Sequence, residues 1–221
     1  MIHDYFFGYG SLVNRDTHDF TDAHPARLTG WRRIWRHTAI RPVAYLTVVP
    51  DADCAIDGLM AAVPDGDWGA LDHRERAYDR IGAQHQISHP LPHSPEVAVY
   101  TIPDAKHARP SETCPVLLSY IDVVVQGYLR EYGEAGVQHF FDTTHGWDAP
   151  VLDDRSAPIY PRHCTLTSDE ASLVDDMLRK HAVTCLDPEV WQSSVQGQAK
   201  SADDTVSGTG NSAISALWKT H

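Results

Sequence analysis

The sequence predicts an α+β protein whose helices pack on one side of a largely antiparallel sheet or small barrel. Three observations favour this class. Short runs rich in β-branched and aromatic residues dominate the first half of the 221-residue chain. Amphipathic helical patterns dominate the second half. Strands followed by helices are typical of α+β proteins, and a hydrophobic fraction of 42% is enough for an ordinary core.

The predicted strands follow one another from the N-terminus. The first is an aromatic run over 5–10 that two glycines break, and a polar loop with a short helix follows over 14–25. Residues 27–37 are expected to form a strand pair bent at Gly30. The remaining strands are expected over 42–49, 54–63, 84–88 and 96–102, with a turn at 50–53. Gly58, inside one of these strands, indicates a bulge or a close approach.

Three amphipathic helices are predicted, each with apolar residues at the spacing of one helical face: 68–80, 115–132 and 169–181. Thr167 or Ser168 is expected to cap the last of them. Gly133 and Gly136 are expected to break the long helix before a shorter one over 137–141.

The composition divides the chain into two parts. Residues 1–191 are expected to form a single domain. Residues 192–221 are expected to form a flexible tail, because residues 192–211 are polar and nearly free of large apolar groups. A short helix is possible over 213–219.

Charge and cysteine usage exclude several classes of protein. The formal net charge is −12, which argues against nucleic-acid binding, because that binding depends on Lys and Arg. No apolar run is long enough to span a membrane, and Asp4 stands where a signal peptide would carry positive charge. The four cysteines form no C-x-x-C pair and suggest reduced, buried thiols. We therefore expect a cytoplasmic protein. The sequence does not predict its oligomeric state.

One glutamate lies on the apolar face of the first predicted helix. Helical spacing aligns Trp68, Leu71, Glu75 and Tyr78, so Glu75 is an acid among residues that face the core. An unpaired buried carboxylate is costly, and burial raises its pKa towards the range of a useful general base. The alternative is that Glu75 pairs with Arg74 or a distant arginine and has a structural role only.

Two stretches resemble the signatures of the gamma-glutamylcyclotransferase-like families, which include the ChaC-like glutathione-specific enzymes. Phe7-Gly8-Tyr9-Gly10-Ser11-Leu12 resembles their opening F-x-Y-G-S-[LN] motif. Leu71-Asp72-His73-Arg74-Glu75 resembles their second signature, L-D-x-x-E, and Tyr78 resembles the tyrosine that follows it. The stretch 120–128 is similar to their late helix. The resemblance covers roughly residues 4–165.

The resemblance implies a small mixed β-barrel flanked by helices, and a cyclotransferase that needs no cofactor and no metal. Tyr9, Gly10, Ser11 and Leu12 would bind the gamma-glutamyl group, and Glu75 would be the catalytic base. The substrate would be a gamma-glutamyl amino acid, glutathione or a gamma-glutamyl amine, and the product 5-oxoproline plus the released amine.

Other interpretations remain open at this point. The chain could be a non-catalytic ligand-binding or regulatory domain of the same fold, or a hydrolase using Ser11. Tyr78 and Tyr128 could line the pocket, although core packing explains both equally well. Arg155 could meet a substrate carboxylate, although a solvated loop charge is the simpler interpretation. The 14 histidines show no recognised metal-ligand spacing.

Overall fold

A computed structural model of the chain describes residues 4–20 and 22–193, apart from the side chain of Asp104. The predicted tail therefore lies outside the described residues from 194 onward. The strands are β1 (Tyr5–Gly8), β2 (Ala23–His37), β3 (Ala44–Ala62), β4 (Asp79–Gly82), β5 (Ile87–Ser88), β6 (Val97–Thr101), β7 (Val116–Leu117), β8 (Thr144–His145), β9 (Val151–Leu152) and β10 (Cys185–Leu186). The helices are α1 (Trp68–Arg74), α2 (Leu118–Asp142) and α3 (Ser168–Lys180), and residues 188–193 are also helical.

The main sheet runs in the order β4-β6-β1-β3-β2-β5, and β8 joins it beside β2. Its pairs are antiparallel except β1 with β6 and β2 with β8. The sheet curls into a half-barrel, which confirms the predicted α+β class with a largely antiparallel, mixed sheet. A small second sheet, β10-β9-β7, is parallel throughout.

The central strand β1 is buried on both faces. Tyr5 and Phe7 belong to the large core that includes α2 and α3. Phe6 belongs to a smaller cluster on the opposite face, with Leu71 of α1. This alternation explains the unbroken aromatic run, since neighbouring residues of a strand point to opposite faces. The expectation that all helices lie on one side holds for α2 and α3 but not for α1.

The two strands predicted around a turn at 50–53 are one long strand, β3. It pairs with β2 from one end to the other, and β2 is likewise a single strand rather than a strand pair. Between the pairs Thr29–Ala55 and Trp31–Pro50, β2 advances two residues and β3 advances five. Pro50 and the acidic residues after it therefore form a wide bulge, because the long ladder absorbs them without reversing the chain.

The first predicted helix ends six residues early, at Arg74 instead of Arg80. Residues 79–82 pair with β6 as the edge strand β4, so tertiary pairing overrides the local helical pattern. Asp72 accepts a hydrogen bond from the Tyr100 hydroxyl (2.6 Å) and lies 3.0 Å from Arg80 Nε. Glu75 becomes the residue that caps α1 at its C-terminal end.

The later elements agree more closely with the sequence. The helix α2 is kinked at Gly133, which has φ 67° and ψ −171°, so the predicted break is confirmed there but not at Gly136. The helix α3 begins with a capping box in which Thr167 and Glu170 satisfy each other's backbone N–H groups. The strand predicted over 84–88 shrinks to Ile87–Ser88, whereas the one over 96–102 is β6.

Two expectations from composition can be compared with the described residues. All four cysteines are free, but only Cys54 is buried, so the prediction of buried thiols is wrong for the other three. Within 4–20 and 22–193, every helix is too short or too polar to cross a membrane.

Candidate active site

A cavity of about 640 Å³ opens where the end of β1 meets α2 and the chain after α1. Six separate stretches supply its walls: the end of β1 with 9–12, the start of β3 with the residues before it, α1 with its cap and 75–78, Tyr100 of β6, Leu117 with Tyr120 of α2, and 160–162. This volume is in the range of small-molecule sites. Both sequence signatures, at 7–12 and 71–75, therefore contribute to one cavity.

The stretch 9–12 is fixed by its backbone and by the Tyr9 side chain. The Tyr9 hydroxyl donates to the Tyr100 carbonyl (2.7 Å), and burial raises the pKa of Tyr9. A 3₁₀ turn over Ser11–Val13 follows, closed by the Val13 N–H bonding to the Gly10 carbonyl (3.0 Å). The first N–H groups of such a turn have no partner within it, so they bond to groups outside the turn.

Glu75 reaches the cavity from the cap of α1, not from a helical face. Its side chain is 29% exposed, and its carboxylate lies 3.4 Å from Arg74 Nε. Burial raises the pKa of Glu75, and the charges of Arg74 and Arg162 act against that rise without cancelling it. The carboxylate is thus both part of the cavity wall and in contact with a neighbouring arginine, so the two interpretations of Glu75 are not exclusive.

The two tyrosines singled out from the sequence lie in different places. Tyr78 is part of the cavity wall, and its hydroxyl donates to the Leu46 carbonyl (3.1 Å). Tyr128 does not line the cavity, which corrects the prediction that it could. It is fully buried behind the loop 9–12. Its hydroxyl lies 3.1 Å from the Tyr9 carbonyl. It faces the core because α2 turns that side towards β2 and β3.

Tyr120 is a cavity residue that sequence reasoning treated only as helix core. A Cβ atom added to Gly10 would collide with the Tyr120 hydroxyl, so only glycine leaves room for it. Burial raises the pKa of Tyr120 well above its ordinary value, neighbouring Tyr160 and Tyr9 add to the rise, and a hydrogen bond from the Ser11 backbone opposes it. The Tyr120 hydroxyl therefore lies against the proposed substrate loop.

Arginines dominate the charge of the cavity wall. Within the described part of the chain, Glu75 is the one carboxylate that lines the cavity. Four arginines line it: Arg41, Arg74, Arg76 and Arg162. Burial, followed by the nearby charge of Arg162, lowers the pKa of Arg74. In a protein of net charge −12, such a wall favours a ligand with negative groups.

Arg155, considered from the sequence as a contact for a substrate carboxylate, has another role. It forms a bidentate ion pair with Asp122 (2.8 and 2.7 Å) and a second one with Asp175 (2.7 Å), and it does not line the cavity. Arg41 and Arg162 lie there instead. No motif marked these two arginines, because each stands in a loop whose position depends on the whole fold.

The structural class is therefore an α+β protein with a half-barrel sheet. Among the described residues, its arginine-rich cavity holds one carboxylate. Residues 5–118 match the family model described as ChaC-like protein. The chain belongs to the ChaC-like family.

The solved structures that match this chain are distant from it in sequence. One named gamma-glutamyl cyclotransferase has 10% identity and a TM-score of 0.49, with 78% of this chain and 98% of that chain covered. An uncharacterized human protein has 12% identity and a TM-score of 0.48, with 79% and 99% covered. A yeast cyclotransferase described as specific to glutathione has 11% identity and a TM-score of 0.41, with 82% and 97% covered. No curated protein matches the sequence.

Proposed function

We propose that this protein is a gamma-glutamylcyclotransferase that converts a gamma-glutamyl amide into 5-oxoproline and a free amine. The observation that carries the proposal is the shared cavity of Glu75 and the loop Tyr9–Leu12. Membership of the ChaC-like family supports it. Glu75 is the proposed general base, and the backbone N–H groups of the loop are the proposed donors to the substrate.

The proposed reaction needs no nucleophile from the protein. The α-ammonium group of the substrate loses a proton to Glu75, and the resulting amine attacks the γ-carbonyl carbon. A C–N bond closes the five-membered ring, and the carbonyl oxygen becomes an oxyanion that the Gly10 backbone N–H group stabilises. The original amide C–N bond then breaks as the leaving nitrogen takes the proton back from Glu75. The ring nitrogen still carries one extra proton, which it loses through Glu75 to the released amine, so the amine leaves as an ammonium ion. The protein supplies geometry and one proton carrier.

A raised pKa suits Glu75 to this cycle. A carboxylate of ordinary pKa would hold the ammonium proton poorly and return it at once. Because burial raises the pKa of Glu75, the carboxylate is a stronger base and remains a competent acid towards the leaving nitrogen. The charges of Arg74 and Arg162 limit the rise in the pKa of Glu75.

The arginines of the wall favour substrates that are anionic at both ends. A gamma-glutamyl amino acid or glutathione carries carboxylates on the gamma-glutamyl part and on the leaving group, whereas a gamma-glutamyl amine carries only the first. Gamma-glutamylalanine and gamma-glutamylethylamide differ by that single carboxylate. A charge-assisted contact is worth about 1.5–3 kcal/mol, so kcat/KM for the alanine compound should be about tenfold higher or more.

The test is a panel of gamma-glutamyl compounds incubated with the full chain, with 5-oxoproline detected by mass. Glu75→Gln should abolish the product. Asp79→Asn is the matched control, since it alters an exposed carboxylate of β4 that pairs with Lys106 (2.7 Å) and lies outside the cavity wall, and it should retain activity. Free glutamate in place of 5-oxoproline would indicate hydrolysis. Binding of the compounds without any product would indicate a ligand-binding domain.

A further inference from the structure

Arg33 of β2 is a fully buried cation that has no carboxylate partner within the described residues. Its guanidinium donates to uncharged oxygens instead: Nε to the Tyr9 carbonyl (3.0 Å), Nη1 to the Thr143 hydroxyl (2.8 Å), and Nη2 to the Asp57 carbonyl and the Tyr128 hydroxyl. It also lies 5.0 Å from the ring centroid of Tyr128. Burying a charge in this way is costly and calls for an explanation.

Tyr128 of α2 completes the same arrangement. Its hydroxyl accepts from Arg33 and lies 2.6 Å from the Asp57 carbonyl and 3.1 Å from the Tyr9 carbonyl. Burial raises the pKa of Tyr128 to about 12, and the charge of Arg33 opposes that rise. The Tyr9 carbonyl thus accepts a hydrogen bond from Arg33 Nε of the sheet, and it shares the single proton of the Tyr128 hydroxyl with the Asp57 carbonyl, which lies closer.

The peptide that contains the Tyr9 carbonyl also contains the Gly10 N–H group. A trans peptide is planar, so its C=O and N–H bonds point in opposite directions. Drawing the carbonyl inward to Arg33 and Tyr128 turns the Gly10 N–H away from the core, and Gly10 lines the cavity.

We propose that Arg33 and Tyr128 are positioning residues that hold the Tyr9–Gly10 peptide so that its N–H group serves as a donor to the developing oxyanion. This inference rests on the proposed cyclotransferase reaction. It explains why the Arg33 guanidinium is buried without a carboxylate partner: the charge serves the active site. The cation polarises the Tyr9 carbonyl, and through the shared peptide it makes the Gly10 N–H a stronger donor.

The test uses the full chain and two variants that each remove one hydroxyl from α2. Tyr128→Phe removes the group that faces the Tyr9 carbonyl. Tyr132→Phe is the matched control, because its ring stacks on Tyr128 at 5.8 Å while its hydroxyl bonds the Gly58 and Ala26 carbonyls instead of the loop. Similar melting temperatures would show that the two variants affect folding equally, so that a difference in kcat between them reports on catalysis.

Tyr128→Phe should lower kcat about tenfold or more with KM nearly unchanged, because loss of an aligned oxyanion donor acts on the transition state. Tyr132→Phe should keep kcat close to the wild-type value. Arg33→Lys should lower kcat further, since a lysine cannot reproduce the guanidinium fork. Equal kcat in the two tyrosine variants would overturn the proposal.

A second measurement is independent of turnover. The ¹⁵N-labelled Gly10 amide should change in chemical shift and in hydrogen-exchange rate in Tyr128→Phe but not in Tyr132→Phe. An unchanged Gly10 amide would overturn the positioning role even in an active enzyme. If the wild-type chain forms no 5-oxoproline, the cyclotransferase proposal fails, and the Gly10 amide still shows whether Arg33 and Tyr128 orient this peptide.

Discussion

Glu75 was identified from the sequence as a candidate base, although the helix on which it was placed ends one residue earlier. Helical spacing grouped it with Trp68, Leu71 and Tyr78, yet α1 ends at Arg74. Glu75 faces the cavity because the chain leaves the helix there, with the Tyr78 N–H bonding back to the Glu75 carbonyl (2.8 Å). The sequence singled out Glu75 because it is an acid among apolar neighbours. That observation holds whether or not the helix continues past Arg74.

The raised pKa of Glu75 predicts opposite effects of pH on activity and on stability. The folded chain binds the Glu75 proton more tightly than the unfolded chain, so the free energy of unfolding falls as pH rises from the ordinary value of 4.5 through the raised folded value. Over the same interval the base becomes ionised and kcat/KM should rise.

Glu75→Gln should therefore remove activity and, above that interval, raise the melting temperature relative to the wild type. Parallel pH series of calorimetric melting and of 5-oxoproline formation measure the two effects. A variant less stable than wild type at neutral pH would show that the contact with Arg74 outweighs burial, contrary to the direction of the pKa shift.

Gly10 and Tyr120 should behave as a coupled pair. A methyl group at position 10 would collide with the Tyr120 hydroxyl, whose ring is held by edge contacts with Trp35 and Tyr160. Gly10→Ala should lower kcat/KM by about tenfold or more, since small displacements of a site are costly to catalysis. Gly10→Ala combined with Tyr120→Phe should lose less than the sum of the single changes in a double-mutant cycle. Additive losses would mean that the two groups do not meet.

At the scale of elements, the sequence predicted those whose signal is local. The N-cap of α3, the apolar run of β6 and the glycine break in α2 each depend on neighbouring residues, and each is present. The continuity of β3 and the early end of α1 depend on partners far away in the chain, namely β2 and β6. A window of sequence contains no information about those partners, so both were predicted wrongly.

The close contact between α2 and the loop after β1 requires glycine at position 127. A Cβ atom at Gly127 would lie 2.5 Å from Asn14 N and 2.7 Å from Val13 C. Gly127→Ala should lower the free energy of unfolding by about 1–3 kcal/mol through overpacking. Gly69→Ala in the exposed α1 is the control, and it should change the stability by less, because a Cβ atom there would meet only the Asp67 side chain, 3.2 Å from Oδ1, and alanine is the better helix former. Chemical denaturation of both variants measures the difference, and equal stabilities would contradict the close approach.

At the scale of the whole molecule, the cavity exists only because six distant stretches converge. Sequence motifs identified two of them, the loop at 9–12 and the stretch that contains Glu75. Tyr120 was recognised only as part of the helical stretch 120–128, and Arg41 and Arg162 stand in no recognisable pattern. Their place follows from the half-barrel and from α2, so the charge of the cavity could not be predicted before the fold was known.

The predicted end of the domain at residue 191 can be tested against the cavity itself. Trp191 is 4% exposed and packs in a cluster with Val43, Leu117 and Tyr160, which also line the cavity. The polar composition of residues 192–211 offers no comparable apolar surface.

A chain that ends at Ser193 should therefore keep the melting temperature and the cyclotransferase activity of the full chain. Trp191→Ala in that shortened chain should lower the free energy of unfolding by about 3–5 kcal/mol, the usual cost of emptying a buried tryptophan site. It should also raise KM, because the cavity wall loses its support at Val43 and Tyr160. Loss of activity in the chain ending at Ser193, with Trp191 still present, would move the domain boundary beyond residue 193.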